Sequence, residues 1–72
     1  MTEHTGISDK EYNLVSILYH TLSGADSCAN YIRDAEHAKD SELSDFFGES
    51  LTLYRTIADK ARKLTASRLA GM

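Results

Sequence analysis

The stretch "NYIRDAEHAKDSELSDFF", residues 30–47, gathers five carboxylates and an imidazole: Asp34, Glu36, His37, Asp40, Glu42 and Asp45. Carboxylate oxygens and imidazole nitrogens are the protein ligands of iron and similar ions, so this is where a metal centre would be sought first. Spacing decides whether such groups can act together. A helical two-ligand site wants residues three or four apart, as in the Glu-x-x-His of di-iron bundles. Glu36 and His37 are adjacent and point about 100° apart on a helix. Asp34 and His37 have the right separation, but they fall on an outer face. Asp26, Glu36, His37 and Glu49 are the ligands available to a metal-binding reading, and only dimerisation could bring them together. The residues by themselves favour a solvated helix end, with no metal and no cofactor.

Other chemistry has less support. No Ser/His/Asp or Cys/His spacing marks a nucleophile, so no catalytic residue is assigned and the chain reads as a non-enzyme. Gly6, Gly48 and Gly71 form no phosphate-cradling pattern. Tyr12, Tyr19, Tyr31 and Tyr54 suit core edges, with rings packed and hydroxyls in water. Cys28, among Ala25, Ala29 and Ile32, reads as a small buried residue. His20 and Asp26 lie off the centre of the apolar stripe, which predicts partial burial with a hydrogen bond. A pH- or ligand-responsive role for His20 has no specific support.

The elements that carry these residues follow from periodicity. Ser8 and Glu11 in "SDKE" match a capping box, and Asp9 favours the positive end of a helix. Val15, Leu18, Leu22, Ala25, Ala29 and Ile32 then recur at spacings of three and four, with no proline anywhere in the chain. This predicts a first helix over about 9–38, about 45 Å long. "KDS" at 39–41 is the connection, with Asp40 or Ser41 capping a second helix over about 42–70. That helix carries Leu43, Phe46, Phe47, Leu51, Tyr54, Ile57, Ala58, Ala61 and Leu64. So short a link makes the two helices antiparallel neighbours.

Composition bounds the rest. The chain has 72 residues, no Trp, one Cys and a net charge of −3. It reads as one all-α hairpin domain over residues 1–72. Chains this short need a disulfide, a metal or self-association to complete a core, and a lone Cys28 excludes an internal disulfide. The apolar faces are wider than one seam, so a homodimer of hairpins forming a four-helix bundle is expected. Its core would contain Leu18, Leu22, Ala25, Ile32, Phe47, Leu51, Tyr54 and Ile57. The acidic balance argues against nucleic acid. Lys60, Arg62, Lys63 and Arg68 suit the negative end of the second helix rather than phosphates. "LVSILY" is too short to cross a bilayer, and "MTEHTGISDKE" lacks the features of a secretory signal and is expected to fray. A cytoplasmic location follows as an expectation.

The segment "YIRDAEHAKDSELSDFF" resembles the ferritin-like and rubrerythrin-like pattern, a likeness covering about residues 24–64. In that family a Tyr precedes two small residues, an acidic turn, a Leu and a Phe. Tyr31, Ala35, Ala38, Asp40, Leu43 and Phe47 stand in those places. The resemblance implies that one hairpin is half of a four-helix bundle around a carboxylate-bridged iron pair. The family's first-helix Glu would fall on Gly24, and its second-helix Glu-x-x-His on Tyr54 and Ile57. None of these is a ligand. An antiparallel pair turning near residue 40 should instead set Gly24 opposite Tyr54. The leading expectation is a self-associating helical bundle with a structural or protein-interaction role and a protein partner of unknown identity. The alternative is a ferritin-like iron-binding protein whose carboxylate site is completed by dimerisation.

Overall fold

The computed structural model describes residues 9–70, which form two α-helices, α1 (Asp9–His37) and α2 (Ser41–Leu69), packed along their length as an antiparallel hairpin. Ser8 lies outside the described residues, and with it the cap expected from "SDKE". Asp9 and Glu11 occupy the first turn of α1, where carboxylates suit the helix dipole.

Residues 38–40 join the helices, one position earlier than the sequence suggests. The reason is visible in the backbone. Lys39 adopts a left-handed conformation with φ 58°. Its N–H donates to the Glu36 carbonyl at 3.0 Å, and the Asp40 N–H donates to the Ala35 carbonyl at 2.9 Å. These two bonds are the Schellman pattern, which satisfies carbonyls left open at the end of α1. Asp40 then caps α2, its Oδ1 accepting from the Leu43 N–H at 3.1 Å. One aspartate therefore closes the first helix through its backbone and opens the second through its side chain.

The seam between the helices is built from small residues. Thr21, Cys28 and Ala35 are buried on α1, and Ala58 and Ala61 on α2. The α1 residues are seven apart, two helical turns, so they form one line along the contact. Thr21 is polar, yet its hydroxyl donates back to the Ile17 carbonyl at 2.8 Å and lies 3.1 Å from that of Leu18. That local bond removes most of the cost of burying it. Leu18, Ala25, Ile32, Phe47 and Leu51 flank the seam half-buried, whereas Leu22, Tyr54 and Ile57 are exposed in the single hairpin. At the open end Arg68 Nη1 donates to Glu11 Oε2 at 3.1 Å, linking the two helices.

The hairpin measures 49 × 23 × 12 Å. Its smallest dimension is about the diameter of one helix with its side chains. Stable domains usually bury their apolar faces between at least two layers. This chain supplies one.

Candidate functional site

The acidic turn is the first place to test. Asp34, Glu36 and His37 are all exposed, and so are Asp26 and Glu49. Asp26 sits mid-helix on α1, more than a helical turn from the Glu36–His37 pair, and Glu49 belongs to the outer side of α2. Among the described residues no three His, Cys, Asp or Glu side chains converge on a point that could hold a metal ion. A shallow surface depression at the turn is lined by Glu36, Lys39, Asp40, Ser41 and Ser44, with one side of each helix end open to water. Asp40 is already committed as the α2 cap. This arrangement can terminate helices, and it offers a cation little beyond single exposed carboxylates.

The positions where the family likeness would place ligands are filled differently. A Cβ built on Gly24 would come within 2.8 Å of Tyr54 Cε1 and Cζ and 3.1 Å of its Cδ1. Gly24 is thus the space into which the Tyr54 ring packs, and this is the facing pair that the hairpin register requires. A glutamate at position 24 would need that ring to move. Cys28 is buried in the seam and takes part in no disulfide.

Two residues expected to be partly buried are not. His20 and Asp26 are exposed, because the helix seam is narrower than the apolar stripe suggests and both lie outside it. His20 instead makes an edge contact with Tyr19, ring centroids 5.4 Å apart and planes at 70°.

One electrostatic cluster stands on the surface of α2. Asp59 lies 3.1 Å from Lys63 Nζ and 3.0 Å from Arg62 Nη2. The hydrogen bond from Lys63, then that from Arg62, holds its carboxyl below the usual carboxylate range. These residues are one helical turn apart and solvent-exposed, so the cluster reads as helix stabilisation.

What dominates the surface is apolar. Leu43, Phe46, Leu53, Ile57 and Leu64 are exposed along α2, Phe46 at 57% and Leu53 at 64%. Leu43, Ile57 and Leu64 share one heptad position with Ser50, and Phe46 and Leu53 share another. Together they make a second stripe on α2 that flanks the seam, Leu43 lining a depression with Tyr31 and Ala35 of α1 while Phe46 and Leu53 turn further outward. Tyr31 of α1 continues this surface through its contact with Phe47, centroids 5.5 Å apart, and Phe47 in turn touches Phe46 at 5.9 Å. Sequence reading places Phe46 and Leu43 on the helix but misses Leu53. The signal was available in the seven-residue interval from Phe46 to Leu53. On α1 Tyr12, Ile17, Tyr19 and Leu22 are exposed as well.

No helix of the described residues is long and apolar enough to cross a membrane. Compared with known proteins, the chain matches no protein-family model, no curated protein and no solved structure.

Proposed function

We propose that the chain is a non-enzymatic, self-associating helical module: a cytoplasmic homodimer of hairpins that forms a four-helix bundle and serves a structural or protein-interaction role. One observation carries this reading. The hairpin is a single layer 12 Å thick, and among the described residues eleven large hydrophobic side chains are exposed, from Tyr12 to Leu64. Those of α2, from Leu43 to Leu64, recur along one stripe, and an exposed apolar surface of that kind marks an interaction site. A compact monomer of 8.0 kDa exposes about 4,500 Å², whereas this chain exposes 5466 Å². The larger surface is that of an elongated single layer rather than of a compact domain.

Sedimentation equilibrium at micromolar concentration tests the reading. The expected mass is twice that of the chain, with a dimer that dissociates on dilution and loses helicity as it does so. A monomer that keeps its full helical signal and cooperative melt at nanomolar concentration would refute it.

A further inference from the structure

We propose that the dimer is made by the outward stripe of α2 packing antiparallel against the same stripe of a second copy, with Leu53 opposite Ile57 of the other chain. This deepens the self-association proposed above and rests on it. Three observations lead to it. The first is the stripe itself. Leu43, Ser50, Ile57 and Leu64 occupy one heptad position, and Phe46, Leu53 and Lys60 the other, so α2 carries a two-position seam over about three heptads. Its large members are 45–64% exposed in the hairpin. Among the described residues α1 leaves them open, apart from Leu43, which borders Tyr31 and Ala35.

The second is self-complementarity. In an antiparallel pair related by a two-fold axis, residue numbers facing each other add to a constant. A sum of 110 sets Phe46 against Leu64, Leu53 against Ile57 and Ser50 against Lys60, each contact occurring twice. Apolar side chains then meet apolar ones at these layers and Ser50 meets Lys60, with Leu43 at the end of the stripe facing Ser67. Shifting one heptad to a sum of 103 puts Leu43 on Lys60 and Ser50 on Leu53, which leaves polar groups against aliphatic ones. The parallel arrangement sets Lys60 against Lys60.

The third is charge. The residues bordering the stripe at heptad intervals are Glu42, Glu49, Thr56 and Lys63, acidic toward the turn and basic toward the open end. An antiparallel pairing brings Glu49 beside Lys63 of the other chain, twice. A parallel pairing puts like charges together at both ends. Asp45 adds to the acidic end, whereas at the other end Arg62 and Lys63 also pair with Asp59 of their own helix and Arg68 with Glu11 of α1. Flanking charges of this kind set orientation and partner choice in helix pairs.

Disulfide trapping and charge reversal test the proposal, both in a Cys28→Ser background and both followed by sedimentation. Chains carrying Leu53→Cys mixed with chains carrying Ile57→Cys should give a cross-linked heterodimer on mild oxidation. A Ser50→Cys chain alone should stay unlinked, because a Ser50–Ser50 contact occurs only in the parallel arrangement. Glu49→Lys and Lys63→Glu should each weaken its own homodimer on the order of tenfold, since two attractive pairs become repulsive. Mixing the two variants should restore wild-type affinity, because both pairs are then complementary again. Preferential cross-linking through Leu22→Cys on α1, efficient linking of Ser50→Cys, or a dimer indifferent to both reversals would overturn this face and register while leaving self-association intact. A wild-type chain that sediments as a monomer would defeat the parent reading instead.

Discussion

Replacing Gly24 tests how the two helices meet at Tyr54, and the structure gives the size of the effect. Two opposing terms act. Glycine inside a helix is less stable than alanine by about 0.5–1 kcal/mol, so Gly24→Ala gains that much from propensity. The added Cβ, however, would stand 2.8 Å from two atoms of the Tyr54 ring, closer than carbon atoms pack. The ring is the far end of a side chain that is 37% exposed, so it can swing outward, at a cost set by its rotamer and by the contacts it leaves. An off-rotamer shift costs about 0.5–1.5 kcal/mol, and overpacking a contact about 1–3 kcal/mol. In the wild-type background the two terms offset each other, and Gly24→Ala gives no net stabilisation. Gly24→Leu cannot be relieved by the same small swing and lowers the melting temperature.

The decisive quantity is the coupling. With Tyr54→Ala already present the clash is gone, and Gly24→Ala should then stabilise by its full propensity gain. The double-mutant cycle therefore predicts an interaction energy on the order of 1–2 kcal/mol between positions 24 and 54, within the range for residues in contact. Urea melts followed by circular dichroism, at one fixed chain concentration because association shifts apparent stability, measure it. A Gly24→Ala gain that is the same with and without Tyr54, or a Gly24→Leu variant that melts higher than wild type, would show that the ring does not occupy that space.

Other consequences can be checked with the same melts. Asp40→Ala removes the α2 cap and should cost about 1 kcal/mol, with Asp40→Asn nearly neutral because its amide oxygen can accept the same bond; equal stability of the alanine variant and wild type would contradict the cap. Lys39→Gly relieves a non-glycine residue at φ 58° and should stabilise by about 1 kcal/mol or slightly less. Asp59 should titrate below an ordinary aspartate by NMR and move upward more with Lys63→Ala than with Arg62→Ala, following the order of its two hydrogen bonds. Because its folded value is depressed, its contribution to stability is present above the unfolded value and fades as pH falls through the folded one; an unshifted midpoint would remove that contribution. Protein purified without chelator or tag should carry well under one transition metal per dimer, and stoichiometric iron, manganese or zinc lost on Glu36→Ala or Asp26→Ala would promote the ferritin-like alternative.

The hairpin is legible in the sequence because its signals are local and repeated. Three-and-four spacings run through both helices without a proline, and Asp40 is a strong capping residue beside a short link. The opposition of Gly24 and Tyr54 follows from counting outward from that link. The acidic turn can be weighed without coordinates too, since adjacent helical residues diverge whatever surrounds them. What the sequence hides is which small residue lies innermost. Thr21 looks polar by type, and its burial depends on a bond to its own helix that composition does not reveal. His20 and Asp26 mislead for a related reason. The apolar stripe on α1 spans both the seam and a flank, so position relative to the stripe's centre does not measure depth in the contact.

The small-residue seam also explains why so much apolar surface is left outside. With Gly24 opposite Tyr54, Thr21 lies against Ala58 and Ala61, where small residues let the backbones approach closely, while Cys28 and Ala35 lie against the stretch of α2 that carries Phe47 and Leu51, both half-buried. The leucines and aromatic residues are therefore displaced to the flanks, α1's set including Tyr19 and Leu22, α2's running from Leu43 to Leu64. A helix pair held apart by leucines would bury more within one chain and need a partner less. In this chain the packing that makes the hairpin thin is the packing that exposes Phe46 and Leu53, so tightness inside the hairpin and the apolar surface offered to the proposed second copy have one cause. Enlarging the seam, for instance by Ala58→Leu, should accordingly disturb both: α2 would be pushed away from α1, and the stripe it presents to a second copy would rotate with it. Weakened dimerisation in Ala58→Leu, a residue that itself lies off the proposed dimer contact, is the signature of that coupling, and an unchanged dissociation constant alongside a destabilised hairpin would separate the two.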